Sequence, residues 1–116
     1  LNTALPLLLT REHLEPAYGR RCRVEGRYEI MPFENKKGRV FVHWPVVVLN
    51  DGTSILLNSF WQHKNGRSAD ERTELVGSRV QIEGVLHREP PTDAYSQNVA
   101  IPTVSPVEFV WSDLPE

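Results

Sequence analysis

With a single cysteine, Cys22, in 116 residues, the chain can form no internal disulfide and no cysteine-rich zinc site. That thiol falls in the inward phase of an alternating segment and reads as a small buried hydrophobe, from which no compartment follows. No stretch is long and apolar enough to cross a bilayer, which takes about 20 residues. The run Leu5-Pro6-Leu7-Leu8-Leu9 is short and interrupted by proline. The chain opens on Leu1, as a trimmed or processed start would, and the run is expected to pack as an N-terminal arm rather than to be the tail of a removed signal peptide. A phosphate-cradling glycine loop, a Walker lysine and a nucleophile elbow are all missing. His13, His43, His63 and His87 form no i, i+4 pair and have no carboxylate at ligand spacing. No metal, cofactor or catalytic residue is therefore expected, and an enzyme ranks third behind two binding readings.

A formal net charge of −2 argues against strong sequence-independent binding to phosphate backbones, where most affinity is electrostatic. The charge is uneven: residues 20–39 hold seven basic groups against three acids, and residues 89–116 hold five acids and no base. At 40% hydrophobic and 24% charged, the composition is that of an ordinary globular domain, with room for one core.

What is present is a repeat. The pattern Gly-x-Arg-apolar-x-apolar-Glu-Gly occurs at residues 19–26 and again at 77–84. In both copies apolar and polar residues alternate, the period of a half-buried strand, running on through Tyr28 and Ile30 in the first and Leu86 in the second. The second glycine of each copy, Gly26 and Gly84, falls in the inward phase, where glycine marks a bend or a close backbone approach. Curved strands of this kind close small barrels.

Along the chain the expected elements are a helical turn over 10–17 capped by Thr10, a strand over 21–31 stopped by Pro32, and a charged loop over 33–39. A strand over 40–49 and another over 54–61 follow, joined by Asp51-Gly52 as a two-residue type I′ turn. Ser68-Ala69-Asp70-Glu71 matches a capping box opening a helix that runs to residue 76. The second repeated strand spans 79–87, a proline-containing loop 88–102, and a last strand 105–111. Residues 1–17 read as an arm, 18–111 as the domain and 112–116 as an acidic tail.

This order, all-β with one short helix between the third and fourth strands and glycine bends in the first and fourth, resembles the OB-fold, a five-stranded Greek-key barrel. The resemblance implies that ligands, in that fold oligonucleotides or oligosaccharides, meet the outward surface of the second and third strands between the loops after strands one and four. A two-residue turn sets Val48 opposite Ile55 and Val46 opposite Leu57 on a core face. The other face then carries Phe41, His43, Asn58, Phe60 and Gln62. With Phe41, Phe60 and Tyr95 as stacking platforms and Lys36, Lys37, Arg39, Lys64 and Arg67 as phosphate contacts, that face reads as a site for single-stranded nucleic acid. The competing reading makes the same face a protein interface or a homodimer contact. Pro45 is expected at a bulge or an unpaired edge.

Overall fold

The computed structural model describes residues 4–34, 37–58, 67–89 and 101–112, apart from the side chain of Phe41. The fold is mostly β. Its strands are β1 (Leu7–Leu8), β2 (Arg21–Glu34), β3 (Val40–Val48), β4 (Ser54–Leu57), β5 (Arg79–His87) and β6 (Thr103–Trp111), with helix α1 (Ala69–Leu75) between β4 and β5 and two 3-10 turns, Arg11–His13 and Glu15–Ala17. All six strands belong to one mixed sheet. Hydrogen bonding runs from β2 through β3, β4, β6 and β5 back to β2, a ring of five strands in which only the β4–β6 contact is parallel. The sequence leads one to expect five strands; the sixth is the two-residue β1, which lies parallel to β2 at Arg23 and Val24.

The two repeats are neighbours. β2 and β5 pair antiparallel with Val24 opposite Ile82, and both residues are fully buried. Each inward glycine stands opposite an apolar residue of the other copy, Gly26 across from Val80 and Gly84 across from Cys22. Both are places of close approach. A Cβ on Gly26 would run into the Val48 carbonyl and lie 2.7 Å from Val47 Cγ1, and one on Gly84 would run into the Pro106 carbonyl. The glycines let β2 pass from β5 to β3, and let β6 lie against β5 across its bulges.

Pro32 does not stop β2, which continues to Glu34. Beyond Tyr28 its one described strand neighbour is β3, so a residue without an N–H is tolerated on the other side. Pro45 likewise makes no bulge: it pairs in register with Ile30, and the β3–β4 ladder begins one residue later at Val46. The bulge falls instead at Phe33/Glu34. Pro106 occupies the bulge where β6 carries extra residues opposite β5.

The β3–β4 turn differs from the expected type I′. Val46 faces Leu56 and Val47 faces Ile55, one residue out of the expected register. Gly52 donates its N–H to Leu49 O at 2.9 Å, Leu49 N–H to Thr53 O at 2.8 Å, and Gly52 takes φ +87°, which is a three-residue loop of a type I turn followed by a left-handed residue. Asp51 holds it, accepting from Thr53 N–H at 3.1 Å and from Arg11 N–H at 2.8 Å. A one-residue slip exchanges faces. Val47 and Leu49 therefore join Ile55 and Leu57 in the core with Val24, Tyr28 and Ile82, while Val46 turns outward beside Leu56 into a second apolar cluster with Trp44.

The arm plugs the ring. Leu8, Leu14 and Ala17 are buried in the core cluster, and Arg23 N–H donates to Pro6 O at 2.8 Å. Arg88 fastens the same end, pairing with Glu15 at 2.8 Å and stacking 4.4 Å from the Tyr18 ring centre. Helix α1 opens as half of the expected capping box. Ser68 Oγ accepts from Glu71 N–H at 3.1 Å, but the Glu71 carboxylate binds Tyr28 and Arg67.

Cys22 is sealed in this core with no exposed surface, and burial pushes its thiol up to about 11. At pH 8 the folded protein is expected to react with a thiol-specific disulfide reagent about a hundredfold or more slower than the chain in denaturant, because the unfolded thiol ionises near 8.5. Equal rates would overturn the placement of Cys22. The same difference sets a sign for stability. The contribution is intact below the unfolded value and is lost as pH climbs from there toward 11.

Candidate functional site

A strand that faces water on one side alternates apolar with polar residues. β3 does not: its outward positions Val42, Trp44, Val46 and Val48 gather with Leu56 of β4 and Met31 and Phe33 of β2 into an apolar cluster outside the ring. Val46 and Leu56 are fully buried there, and Ile101 packs on them from the chain leading into β6. Toward the tip of the β2–β3 ladder the cover thins. Phe33 and Val42 are half-buried, and Val40 is 47% exposed. Lys37 and Arg39, both exposed, lie on the turn just before Val40.

Trp44 organises the middle of this surface. Its indole N–H is shared between the carbonyls of Leu57 at 2.8 Å and Asn58 at 3.1 Å, and the residue is 8% exposed. A ring so held is a wall, not a platform on which a base stacks.

Asn58, expected on a ligand-facing surface, is used internally. It adopts φ +62°, its N–H donates to Val104 O at 2.8 Å, and its Oδ1 accepts from Val107 N–H at 2.9 Å. Asparagine is among the few non-glycine residues that enter the left-handed region readily, so this position ends β4 and ties it to β6. Arg67 forms a two-bond fork on Glu71, at 2.8 and 2.6 Å, which occupies the guanidinium face that a phosphate would need. His43 is exposed opposite Pro32, and the observed register puts it in the phase of Pro45 and Val47 rather than on the outer cluster. Phe41 lies in β3 but its side chain is outside the described set. Lys36, Phe60, Gln62, Lys64 and Tyr95 lie outside the described residues. Of the expected site, the structure thus places Lys37 and Arg39 at the tip of the outer face, His43 beside it, and Asn58 and Arg67 in structural bonds.

The residues of the outer face that sequence reasoning passed over are Met31, Phe33 and Val42. Their signal is the nearly unbroken apolar run of residues 40–49, which belongs to a strand covered on both sides.

Two shallow grooves lie elsewhere. One, beside α1, is lined by Ile30, Ala69, Arg72, Thr73 and Val76. The other runs between the hairpin turn and Gly77, with Arg27, Asn50 and Arg79 on its walls. Its cations are already matched: Arg27 pairs with Glu29 at 2.6 Å, and Arg79 donates to Glu25 at 2.9 Å and to Asn50 Oδ1 at 3.3 Å. Burial would raise the Glu25 carboxyl, but bonds from Gln81 and Arg79 outweigh it and hold it below the ordinary glutamate value. Compared with family models, curated proteins and solved structures, the chain matches none of them.

Proposed function

We propose that this chain is an OB-like barrel acting as a non-enzymatic binding module, which takes an apolar segment of a protein partner on the outer face of β2 and β3. The barrel reading is supported by the strand order β2-β3-β4-β6-β5, by the parallel contact between β4 and β6, by the two glycine approaches, and by the helix between the third and fourth ring strands. One observation carries the binding reading. An apolar cluster stands on the outside of the ring, its inner part covered by the chain's own Ile101, its edge only half-buried at Phe33 and Val42, with Val40 next along β3 47% exposed. Apolar side chains at outward positions of a sheet mark a surface that something covers. The non-enzymatic reading is supported by the titratable groups whose ionisation is displaced among the described residues. Glu15, Glu25, Asp51, Arg67, Glu71 and Arg88 are displaced by structural bonds, Tyr28 is raised by burial and its bond to Glu71, and Cys22 is sealed in the core.

Single-stranded nucleic acid is the second reading, favoured by Lys37 and Arg39 at the same tip. Against it, Trp44 is pinned and buried and Arg67 is engaged by Glu71. Selection of extended peptides from a random display library should enrich apolar sequences that bind the wild type and lose at least about tenfold in affinity on Val40→Asp, a loss of about 1.4 kcal/mol. A labelled dT20 oligonucleotide should not bind at low salt. If no peptide distinguishes the two proteins, the protein-partner reading falls. If dT20 binds at low salt and its affinity drops steeply as salt rises, the nucleic-acid reading replaces it.

A further inference from the structure

A different arc of the ring, the outward side of β2, β5 and β6, presents the two most solvent-accessible aromatic side chains among the described residues. Phe109 is 58% and Trp111 42% exposed. They stand two residues apart on β6 and so share a face. Register extends that face across three strands: Trp111 lies beside Gln81 and then Glu25, and Phe109 beside Glu83 and then Arg23.

Most polar groups around the aromatics are bonded within the chain, although the buried Gln81 Oε1 has no partner. Glu25 accepts from Arg79 and from Gln81, the latter at 2.7 Å. Arg21 pairs with Glu108 at 2.7 Å, and Arg23 donates twice to the Leu5 carbonyl, at 3.2 and 3.0 Å. Glu83 is only 7% exposed. Arg21, Arg23, Arg27 and Arg79 are balanced by Glu25, Glu29, Glu83 and Glu108, and the face carries no net charge. The two aromatics are left with their rings toward water.

We infer that this face is a contact between two copies of the chain, placed face to face about a two-fold axis so that Phe109 and Trp111 of one meet those of the other. Charge selects the occupant. A nucleic acid or a strongly charged protein would find no field to steer it, whereas a surface of no net charge meets its own copy without a net like-charge repulsion. A two-fold contact uses the same patch twice, and a side-by-side aromatic pair is the kind of anchor that such a patch needs. Size sets the strength. Three strands about 4.8 Å apart and about seven residues long at roughly 3.3 Å each give a plan area of a few hundred Å². That is well short of about 800 Å² per partner in a standard stable interface, so the dimer is weak and reversible.

Sedimentation velocity of the purified chain from about 5 μM to about 1 mM, a range chosen around the affinities expected of small interfaces, tests it. The wild-type average mass should rise toward twice the monomer value across that range and should not fall in 0.5 M salt, because the contact is apolar. Phe109→Ser combined with Trp111→Ser should remain monomeric at the top concentration with an unchanged far-ultraviolet spectrum, and Phe109→Lys should weaken association at least tenfold. Val40→Asp, on the hairpin face, should associate like the wild type. A wild type that stays monomeric at the top concentration overturns the inference. So does association that survives loss of both aromatics, collapses in salt, or disappears in Val40→Asp.

Discussion

Replacing Gly26 or Gly84 by alanine should each destabilise the protein by about 3 kcal/mol, the upper part of the range for over-packed cores, and the double replacement should leave little folded protein. The obstacle in each case is a backbone carbonyl of the facing strand, Val48 at one site and Pro106 at the other. A flexible side chain would swing away from a new methyl group; a ladder carbonyl moves only with its strand. Neither glycine has the positive φ that would itself disfavour alanine, so the cost is one of space. Gly38 supplies the contrast. It has φ +77° and nothing within 4 Å of the place a Cβ would take, and alanine there should cost only the left-handed strain of about 1 kcal/mol. Urea unfolding followed by tryptophan fluorescence checks all three. A loss under about 1 kcal/mol at Gly26 and Gly84 would show that the strands do not approach there as described.

Tyr28→Ala should cost about 3–5 kcal/mol, as truncating a large buried aromatic does. Tyr28 has no exposed surface, and its hydroxyl donates to Glu71 Oε2 at 2.9 Å, so this side chain bonds β2 to α1. The backbone of the same residue joins the turn before β5, accepting from Gly77 N–H at 2.7 Å and donating to Ser78 O at 2.8 Å. Tyr28→Phe removes only the hydroxyl and should cost about 1–2 kcal/mol. A pH dependence follows. Burial alone would raise the Glu71 carboxyl, but the bonds from Arg67 and Tyr28 outweigh it and hold it below the ordinary glutamate value. A carboxylate depressed in the folded state contributes fully above its unfolded value, near 4.3, and loses that contribution as pH falls through the folded one. Thermal midpoints measured between about pH 6 and pH 3 should therefore drop less in Glu71→Gln than in the wild type, although the variant starts lower. Parallel curves would mean that Glu71 is not ionised in this bond.

The repeated strands were legible because their information is local: alternation and an inward glycine need nothing beyond eight residues. The hairpin was half legible. Asn50-Asp51-Gly52 is compatible with a two-residue or a three-residue turn, and what selects the longer one includes the Arg11 N–H on Asp51, forty positions away. One residue of register then moved Val42, Trp44, Val46 and Val48 of β3 from the expected core face to the outer face, where Leu56 already stood, and the reading of the site moved with them. Arg67 and Glu71 stand at the i, i+4 spacing of a helical ion pair, a signal present in the sequence beside the phosphate reading. Tyr28 as a third member was beyond it, since β2 and α1 meet only in space. Pro32 misled because a proline ends a strand only where its missing N–H would have had a partner.

The hydrogen-bonded circuit also governs how fast the native state can be reached. β2 closes on β5 between residues such as Val24 and Ile82, and β4 meets β6 between Leu57 and Val104, so no run of nearest-neighbour hairpins completes the structure. Loop-closure entropy must be spent before those distant pairings return anything. Refolding on the millisecond-to-second scale of domains rich in non-local contacts is the kinetic signature expected of this chain, with the β3–β4 turn, whose central bonds are local, as its earliest piece.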